Sequence, residues 1–435
     1  MTALALKLNP SADLFQEDFA ANSGDLPGAG LAWLDERREK AMDAYVMTGV
    51  PNRRVEAWKF TDLASELEDR LESTAAGSAP YIDEKVFGVA EGARVVLVNG
   101  ILWDVTQAEG LEIVDLGKID AKTPDWVCAN LGLLASGPDQ PMGAASFALM
   151  RSGVAVRVKA SGVLNLDFVN PPLARDAVSH TRILIVVEQG ASLKLLQSHS
   201  GAGTHQSFAN IGIEFVLKAG AQLEHVVLQA EAATAIHVAS IGAVVARDAQ
   251  YRALYAATGA RLSRLDVNIH LDGPGAHASI NNVAVPGYGI ADTTTVMDHA
   301  KPHTTSRQLF KSVVGGRGRS VSQGRVLVRE GAVKSDSHQL FKALLMSPRA
   351  EADAKPELEI FADDVVCGHG TAIGALDEDA LFYLRARGIP EAEARGLLVR
   401  AFLQDAISGI AGEAVHDALW RKLDVALAAF DGAET

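Results

Sequence analysis

The stretch Gly190-Ala-Ser-Leu193 recurs in three near copies, Gly220-Ala-Gln-Leu223, Asp248-Ala-Gln-Tyr251 and Gly275-Ala-His-Ala278. Each copy joins a turn residue to the start of a strand, and successive copies begin 30, 28 and 27 residues apart. A period in this range is typical of stacked structural repeats. One coil alone cannot bury its inward face, so the repeat predicts a β-solenoid, in which stacking buries it. A β-sandwich, which also shows regular turns, stays open at this point.

Apolar and polar residues alternate along the strands of this region, as they do in half-buried strands. Three rows carry the alternation: Val154, Val156 and Val158; Ile211, Ile213, Phe215 and Leu217; and Leu265, Val267, Ile269 and Leu271. The chain therefore changes to a period of two from about residue 151. The predicted fold class is mainly β, a solenoid flanked by helical regions.

The two flanks show apolar residues at helical spacing. Before the β region, Leu31–Met47 and Asp125–Met150 predict helices, with a loop near Gly137. After it, Asp377–Gly388, a segment starting at Pro390 and residues 413–430 predict three more. We therefore expect a mostly helical domain over 1–150, a β-helix core over 151–375 and a helical domain over 376–435. The last is expected to cap the solenoid and cover its free edge strands.

Composition excludes several classes of protein. The chain has 435 residues, a net charge of −14 and only two cysteines, Cys128 and Cys367. The acidic balance argues against a nucleic-acid binder, and the few cysteines favour a reducing cytoplasm over a disulfide-bonded secreted protein. The N-terminus does not resemble a signal peptide. The sequence also lacks an apolar run long enough to predict a membrane span.

Cys367 and His369 form the most informative pair for function. They lie in Asp363-Asp-Val-Val-Cys-Gly-His-Gly370, where Val365 and Val366 suit a strand. Side chains two apart on a strand point to the same side. A thiol and an imidazole would then lie side by side, and both bind iron and other transition metals. Two ligands leave a metal site incomplete, and such a pair is also compatible with simple packing in a core.

A second pair, His299 and His303, lies in Asp298-His-Ala-Lys-Pro-His303. On a helix this spacing would present both rings to a metal ion. Pro302 stands between them and the surrounding pattern is that of strands, so we expect a turn here instead of a metal site.

Common catalytic motifs are missing from the sequence. Gly117-Lys118-Ile119 lacks the Ser or Thr of a phosphate-binding loop, and Gly316-Arg-Gly318 lacks the third glycine of a dinucleotide fingerprint. There is also no Gly-x-Ser-x-Gly elbow. We therefore expect a chain that binds no nucleotide and is not an enzyme.

Several segments together resemble the SufB/SufD family of iron–sulfur cluster assembly proteins. The resemblance rests on Pro51–Thr61, Asp298–His303, Phe310-Lys311, Gln323–Val328, Leu358–Ile360, Cys367–Gly374 and Leu381–Ile389. Leu340 stands where SufB-like chains carry a cluster-related cysteine, and Gly370 follows His369 where they carry glutamate. The chain thus resembles the SufD branch. Gly368 and Val321-Ser322 depart from the family pattern without touching a proposed ligand.

The resemblance implies a right-handed parallel β-helix and a complex of SufB, SufD and the ATPase SufC. It implies that His369, with Cys367 beside it, lies at the junction with SufB, where the two β-helix edges meet and a nascent iron–sulfur cluster is shared transiently. It also implies that the C-terminal helices, roughly 376–430, bind SufC.

Three alternatives stay open from the sequence. One is a β-solenoid enzyme that acts on polysaccharides, which would need charged residues clustered along one groove. The second is a purely structural partner in which Cys367 and His369 have no metal role. The third is a homodimer in which two copies of His369 meet across a two-fold axis.

Overall fold

The computed structural model describes residues 10–67, 72–73, 86–88, 91–172, 176–409 and 412–431 of the chain. Helices and short strands come first: α1 (Pro10–Asn22), α2 (Ala32–Val46), α3 (Leu63–Glu66), β1 (Glu72–Ser73), β2 (Ala93–Val98), β3 (Ile101–Thr106), β4 (Leu111–Asp115), α4 (Asp125–Asn130) and α5 (Pro141–Ala148). The expected helices over Leu31–Met47 and within Asp125–Met150 are confirmed.

Sixteen consecutive strands follow and form the body of the molecule. They are β5 (Ser152–Val158), β6 (Ser161–Asn170), β7 (Ala177–Val187), β8 (Ser192–Gly201), β9 (Ser207–Leu217), β10 (Gln222–Ala230), β11 (Ile236–Val245), β12 (Gln250–Ala257), β13 (Leu262–Leu271), β14 (His277–Ala284), β15 (Ile290–His299), β16 (Thr305–Val314), β17 (Arg319–Val328), β18 (Asp336–Leu345), β19 (Glu351–Ile360) and β20 (Val366–Gly374). Helices α6 (Glu378–Ala386), α7 (Glu391–Ile407) and α8 (Glu413–Asp431) end the described chain.

The strands alternate between two parallel sheets, so that each pair makes one coil of a solenoid. Odd-numbered strands from β5 to β19 form sheet A, with β4 at its outer end. Even-numbered strands from β6 to β20 form sheet B, which β2 and β3 extend at the same end. The predicted parallel solenoid of about eight coils is therefore confirmed, and the sandwich alternative is wrong because consecutive strands do not pair as hairpins.

The repeated motif sets the register of sheet B. Leu193 pairs with Leu223, Leu223 with Tyr251, and Tyr251 with Ala278, so the fourth residue of each copy stacks on that of the next. The first residue of each copy has a left-handed backbone, with φ of 70° at Gly190, 68° at Gly220, 57° at Asp248 and 76° at Gly275. The motif recurs because every coil needs a sharp turn two residues before its sheet B strand.

Later coils keep this turn without glycine. His303, Lys334 and Asp364 stand at the equivalent positions and have φ of 59°, 61° and 57°. The turn conformation is therefore maintained by the stacking of coils, because neighbouring turns bond to each other, as the His303 amide does to the Val333 carbonyl. This is why the sequence repeat fades after Ala278 while the structural repeat continues.

The interior between the sheets is mostly apolar, and each outer face is covered by helices from one end of the chain. On sheet A, α2 and α5 pack with residues such as Leu184, Phe208 and Val238 into a second core. On sheet B, α7 and α8 pack with Leu228, Leu254 and Val313 into a third. Lys311 on β16 donates to the Phe402 carbonyl and pairs with Asp405, which fixes α7 to the sheet.

The expectation that the C-terminal helices cap the end of the solenoid is wrong. These helices lie along the side of the molecule, where α7 contacts β14 and β16. The outer face of sheet B carries a row of apolar residues, and the helices bury that row. The strands β19 and β20 at the C-terminal end are left as free edges.

Candidate functional site

Cys367 and His369 lie on β20, the last strand of sheet B. In the register, Cys367 pairs with Ser337 and His369 with Gln339, and both of those partners are buried in the interior of the previous coil. Cys367 and His369 thus occupy inward-facing columns of the solenoid. Because no further coil follows β20 among the described residues, Cys367 is half-buried and His369 is exposed.

The thiol of Cys367 packs against the apolar interior. Burial raises the pKa of this thiol, and a hydrogen bond with the Ser337 backbone opposes the shift only in part. The thiol is therefore protonated at neutral pH, and a metal ion would have to displace its proton to bind. Both cysteines of the chain are free.

An unsatisfied amide lies one coil below His369. Gln339 is 2% exposed, and neither its amide nitrogen nor its amide oxygen has a hydrogen-bond partner. In the coil below that, Gln308 accepts from Thr295 Oγ1 at 2.6 Å while its own amide nitrogen is unpartnered. A polar column therefore runs inside the solenoid to the imidazole at its end.

The rim around the pair is apolar and exposed. Ile360 and Ile373 are 42% and 46% exposed, and Phe361 and Val366 are 64% and 61% exposed. Each of β19 and β20 has a hydrogen-bonded neighbour in its own sheet on one side only. Free backbone groups next to exposed apolar side chains are a surface to which another chain can add strands.

The expected turn is present between His299 and the strand that follows His303. His299 is fully buried at the end of β15, where its ring nitrogens bond to Thr304 Oγ1 and Ser306 Oγ at 2.9 Å each. His303 belongs to the turn that follows. Asp298 in the same segment accepts two hydrogen bonds from Arg329.

Two buried polar groups were missed by the sequence reasoning. Arg264 stacks 4.2 Å above the Trp58 ring and pairs with Asp266 and Asp292. Thr61 also bonds to Asp292, so the segment near Trp58 is anchored to sheet A. The second group, His199, Glu231 and His237, brings together residues 38 positions apart, and no sequence spacing could have singled it out.

The molecule is thus a parallel two-sheet solenoid with an imidazole and a thiol at its open end. Residues 172–402 match the family model of the SUF system FeS cluster assembly, SufBD core domain. This match covers more than half of the chain, and the chain belongs to the SufBD family of iron–sulfur cluster assembly proteins.

Relatives with a curated description lie within the same family. The iron–sulfur cluster assembly protein SufD of Escherichia coli is 28% identical over 86% of this chain and 89% of its own. A SufBD family protein of Synechocystis is 27% identical over 87% of each chain. A chloroplastic protein of Arabidopsis thaliana is 27% identical over 92% of this chain and 86% of its own. The chain is accordingly SufD-like, as the residues at Leu340 and Gly370 indicated. No helix among the described residues has the length and apolar character needed to cross a membrane.

Proposed function

We propose that this chain is a non-enzymatic scaffold subunit of the SUF assembly complex, in which it joins SufB through the open end of its solenoid. The observation that carries the proposal is the position of His369 and Cys367 on a free edge strand, in inward columns that lack a covering coil. Strand addition at β19 and β20 would continue both sheets into a neighbouring solenoid.

The chemistry of such a junction is that of a shared coordination shell. An iron–sulfur cluster needs several protein ligands, and this end of the chain offers one imidazole and one thiol. SufB would supply the remaining ligands, so neither subunit alone could hold the nascent cluster. His369 is the principal ligand in this proposal because it is exposed. The Cys367 thiol, whose pKa is raised, must first lose its proton before it can bind.

A second surface is proposed to bind SufC. Helix α6 exposes Phe382 and Tyr383 at 72% and 57%. Their helix packs on α7, which is fixed to sheet B through Lys311. Exposed aromatic residues are common anchors of protein interfaces. A movement of SufC during its ATP cycle could reach the solenoid through α7, and the chain itself would bind no nucleotide.

The proposal also includes a cytoplasmic location and a division of the chain into three domains. These are a mostly helical domain over 1–150, a β-helix core over 151–375 and a helical domain over 376–435. The family match favours assembly over the polysaccharide-active alternative, because the match covers the solenoid itself.

The test is anaerobic reconstitution with ferrous iron and sulfide, with the product followed by visible absorption. The full chain is used alone, with SufB and SufC, and in a mixture of SufB and SufC that lacks it. We expect the three proteins to co-purify in fixed proportion and the cluster to form efficiently only when this chain is present.

Two results would contradict the proposal. Equal cluster yield without this chain would show a purely structural role or none. Full yield with this chain alone, together with a solution mass of two copies, would favour the homodimer alternative.

A further inference from the structure

A second set of metal-ligand side chains lies deep in the solenoid, several coils away from the open end. It comprises His199 on β8, Glu231 just after β10 and His237 on β11, which are 1%, 5% and 4% exposed. One ligand atom from each lies within 4.8 Å of the other two. Among the described residues, this is the one such group of three histidine, cysteine or acidic side chains.

One nitrogen of each histidine ring, Nδ1 of His199 and Nδ1 of His237, is buried without a hydrogen-bond partner. His199 Nε2 lies 2.6 Å from the amide nitrogen of Gln197, and its Nδ1 is buried without a partner. His237 Nδ1 lies 2.8 Å from Glu231 Oε2, yet it has no aligned hydrogen bond. Such a short distance without hydrogen-bond alignment is expected when His237 Nδ1 and Glu231 Oε2 both point toward a metal position between them. A buried nitrogen without a partner is unfavourable, and a cation between the three side chains would supply one.

The carboxylate of Glu231 is held in place by amides. Asn170 donates to its Oε1 at 2.7 Å and Gln229 to its Oε2 at 3.1 Å. Burial acts to raise the pKa of Glu231, but the charge of His237 and the hydrogen bonds lower it to about 2. Burial lowers the pKa of His199 well below its usual value, so that ring is neutral. An anionic oxygen and a neutral imidazole are the forms that bind metal, so a divalent cation would replace the proton of His237 as the positive charge beside Glu231.

We propose that His199, Glu231 and His237 bind one divalent transition-metal cation, such as Zn²⁺ or Fe²⁺, inside the solenoid. Two imidazoles and one carboxylate are a common ligand set for both ions. Ligand atoms around such an ion lie roughly 3–3.5 Å apart, so small rotations would close the set. A cavity of about 30 Å³, lined by His199, His237 and Gln229, has room for a water as a further ligand.

The surroundings also supply an outer shell for the ligands. When the amide of Gln197 turns over, its oxygen accepts from His199 Nε2 and the Nδ1 lone pair becomes free for the metal. His225 accommodates this change of the Gln197 amide by moving its proton from Nε2 to Nδ1. Its Nδ1 lies 3.1 Å from the Tyr251 hydroxyl, which can accept the new hydrogen bond. Metal binding thus selects one of two equivalent hydrogen-bond arrangements along Gln197, His225 and Tyr251.

The three side chains are buried and come from successive coils, so the cation would enter while the coils stack. It would then stabilise the folded solenoid by binding only that state. The proposal does not depend on the proposed function, because it concerns neither the open end nor any partner.

The test uses the full chain carrying Cys367→Ser and His369→Ala, which removes the ligands at the open end. The protein is produced in medium supplemented with Co²⁺, treated with a weak chelator, and analysed for bound metal and visible absorption. We expect about one Co²⁺ per chain, with ligand-field bands and no thiolate charge-transfer band. We also expect unfolding at a higher temperature than for the metal-free protein.

Adding His199→Gln and His237→Gln should abolish the Co²⁺ signal. Glu231→Gln, which keeps an oxygen for Asn170, should weaken Co²⁺ retention at least about tenfold, and it replaces the double variant if that fails to fold. His180→Gln is the matched control, since His180 is also buried with an unpartnered ring nitrogen but belongs to no ligand group. The proposal is overturned if the parent retains no Co²⁺, or if these variants retain as much as His180→Gln.

Discussion

The two ends of the solenoid are built from the same two sheets but finish in different ways. At the first end, β4 and β3 run antiparallel to their neighbours, are five and six residues long, and include a register shift beside Leu97. At the last end, β19 and β20 run parallel, are ten and nine residues long, and keep an unbroken register.

Burial separates the two ends only at β4, because β3 at the first end has no buried residue either. Leu111 on β4 is 8% exposed, whereas no residue of β19 or β20, all of which the structure describes, is buried. Short, reversed and bulged strands are a usual way to prevent pairing at a sheet edge. The first end therefore has strand features that disfavour further pairing and that the last end lacks, and the candidate ligands lie at the last end.

The largest expected effect is on cluster formation. Changing His369→Ala in the SufB–SufC complex of this chain should reduce the cluster yield at least about tenfold, because a shared coordination shell loses a ligand. Anaerobic reconstitution followed by visible absorption measures the yield. Complex formation and the unfolding temperature should be unchanged.

The matched control for that prediction is His338→Ala. His338 lies on the adjacent strand β18 and is also exposed, but it occupies an outward column and pairs with Asp336 at 3.0 Å. It should leave the yield unchanged. An equal loss of cluster yield in both variants would show that the open end has no specific role in cluster assembly.

The second expected effect concerns stability, and it compares two leucines at opposite ends of sheet A. Leu111→Ala on β4 should lower the free energy of unfolding of the isolated chain by about 3 kcal/mol, because it leaves a cavity in a closed core. Leu358→Ala on β19 should cost about 1 kcal/mol or less, because Leu358 is only partly buried. Urea unfolding measures both.

Addition of SufB should reduce the difference between the free-energy costs of Leu111→Ala and Leu358→Ala, since a covering strand would bury Leu358. Equal losses of unfolding free energy for the two variants of the isolated chain would show that the last coil is packed as tightly as the first. That result would contradict the difference between the two ends.

The smallest expected effect is on association with SufB. Ile373→Lys on β20 should weaken binding about fivefold, or ~1 kcal/mol, because it places a charge beside apolar residues that the partner would cover. Trp103→Lys on β3 is the counterpart at the closed end, where Trp103 is 51% exposed. It should change the dissociation constant less than about twofold. Titration by calorimetry distinguishes the two, and a stronger effect at Trp103 would place the interface at the other end.

The sequence alone was sufficient for the solenoid, because its turns and alternation are local features. The copies from Gly190 to Gly275 mark a turn conformation that glycine favours, and stacking places them in register. The helices around Leu34 and Val399 could be predicted for the same reason, since a helix depends on residues three and four positions apart. The pair Cys367 and His369 was visible because both residues lie on one strand.

Contacts between distant parts of the chain could not be read in this way. The sequence predicted three C-terminal helices but not that they would cover the side of sheet B, because that choice depends on the total apolar area available on each surface. The cluster of His199, Glu231 and His237 exists only once three strands have stacked. Local conformation was determined by the sequence itself, whereas the docking of the helices, the openness of the last coil and the buried ligand set were decided by tertiary packing, which sums interactions over residues that the sequence keeps apart.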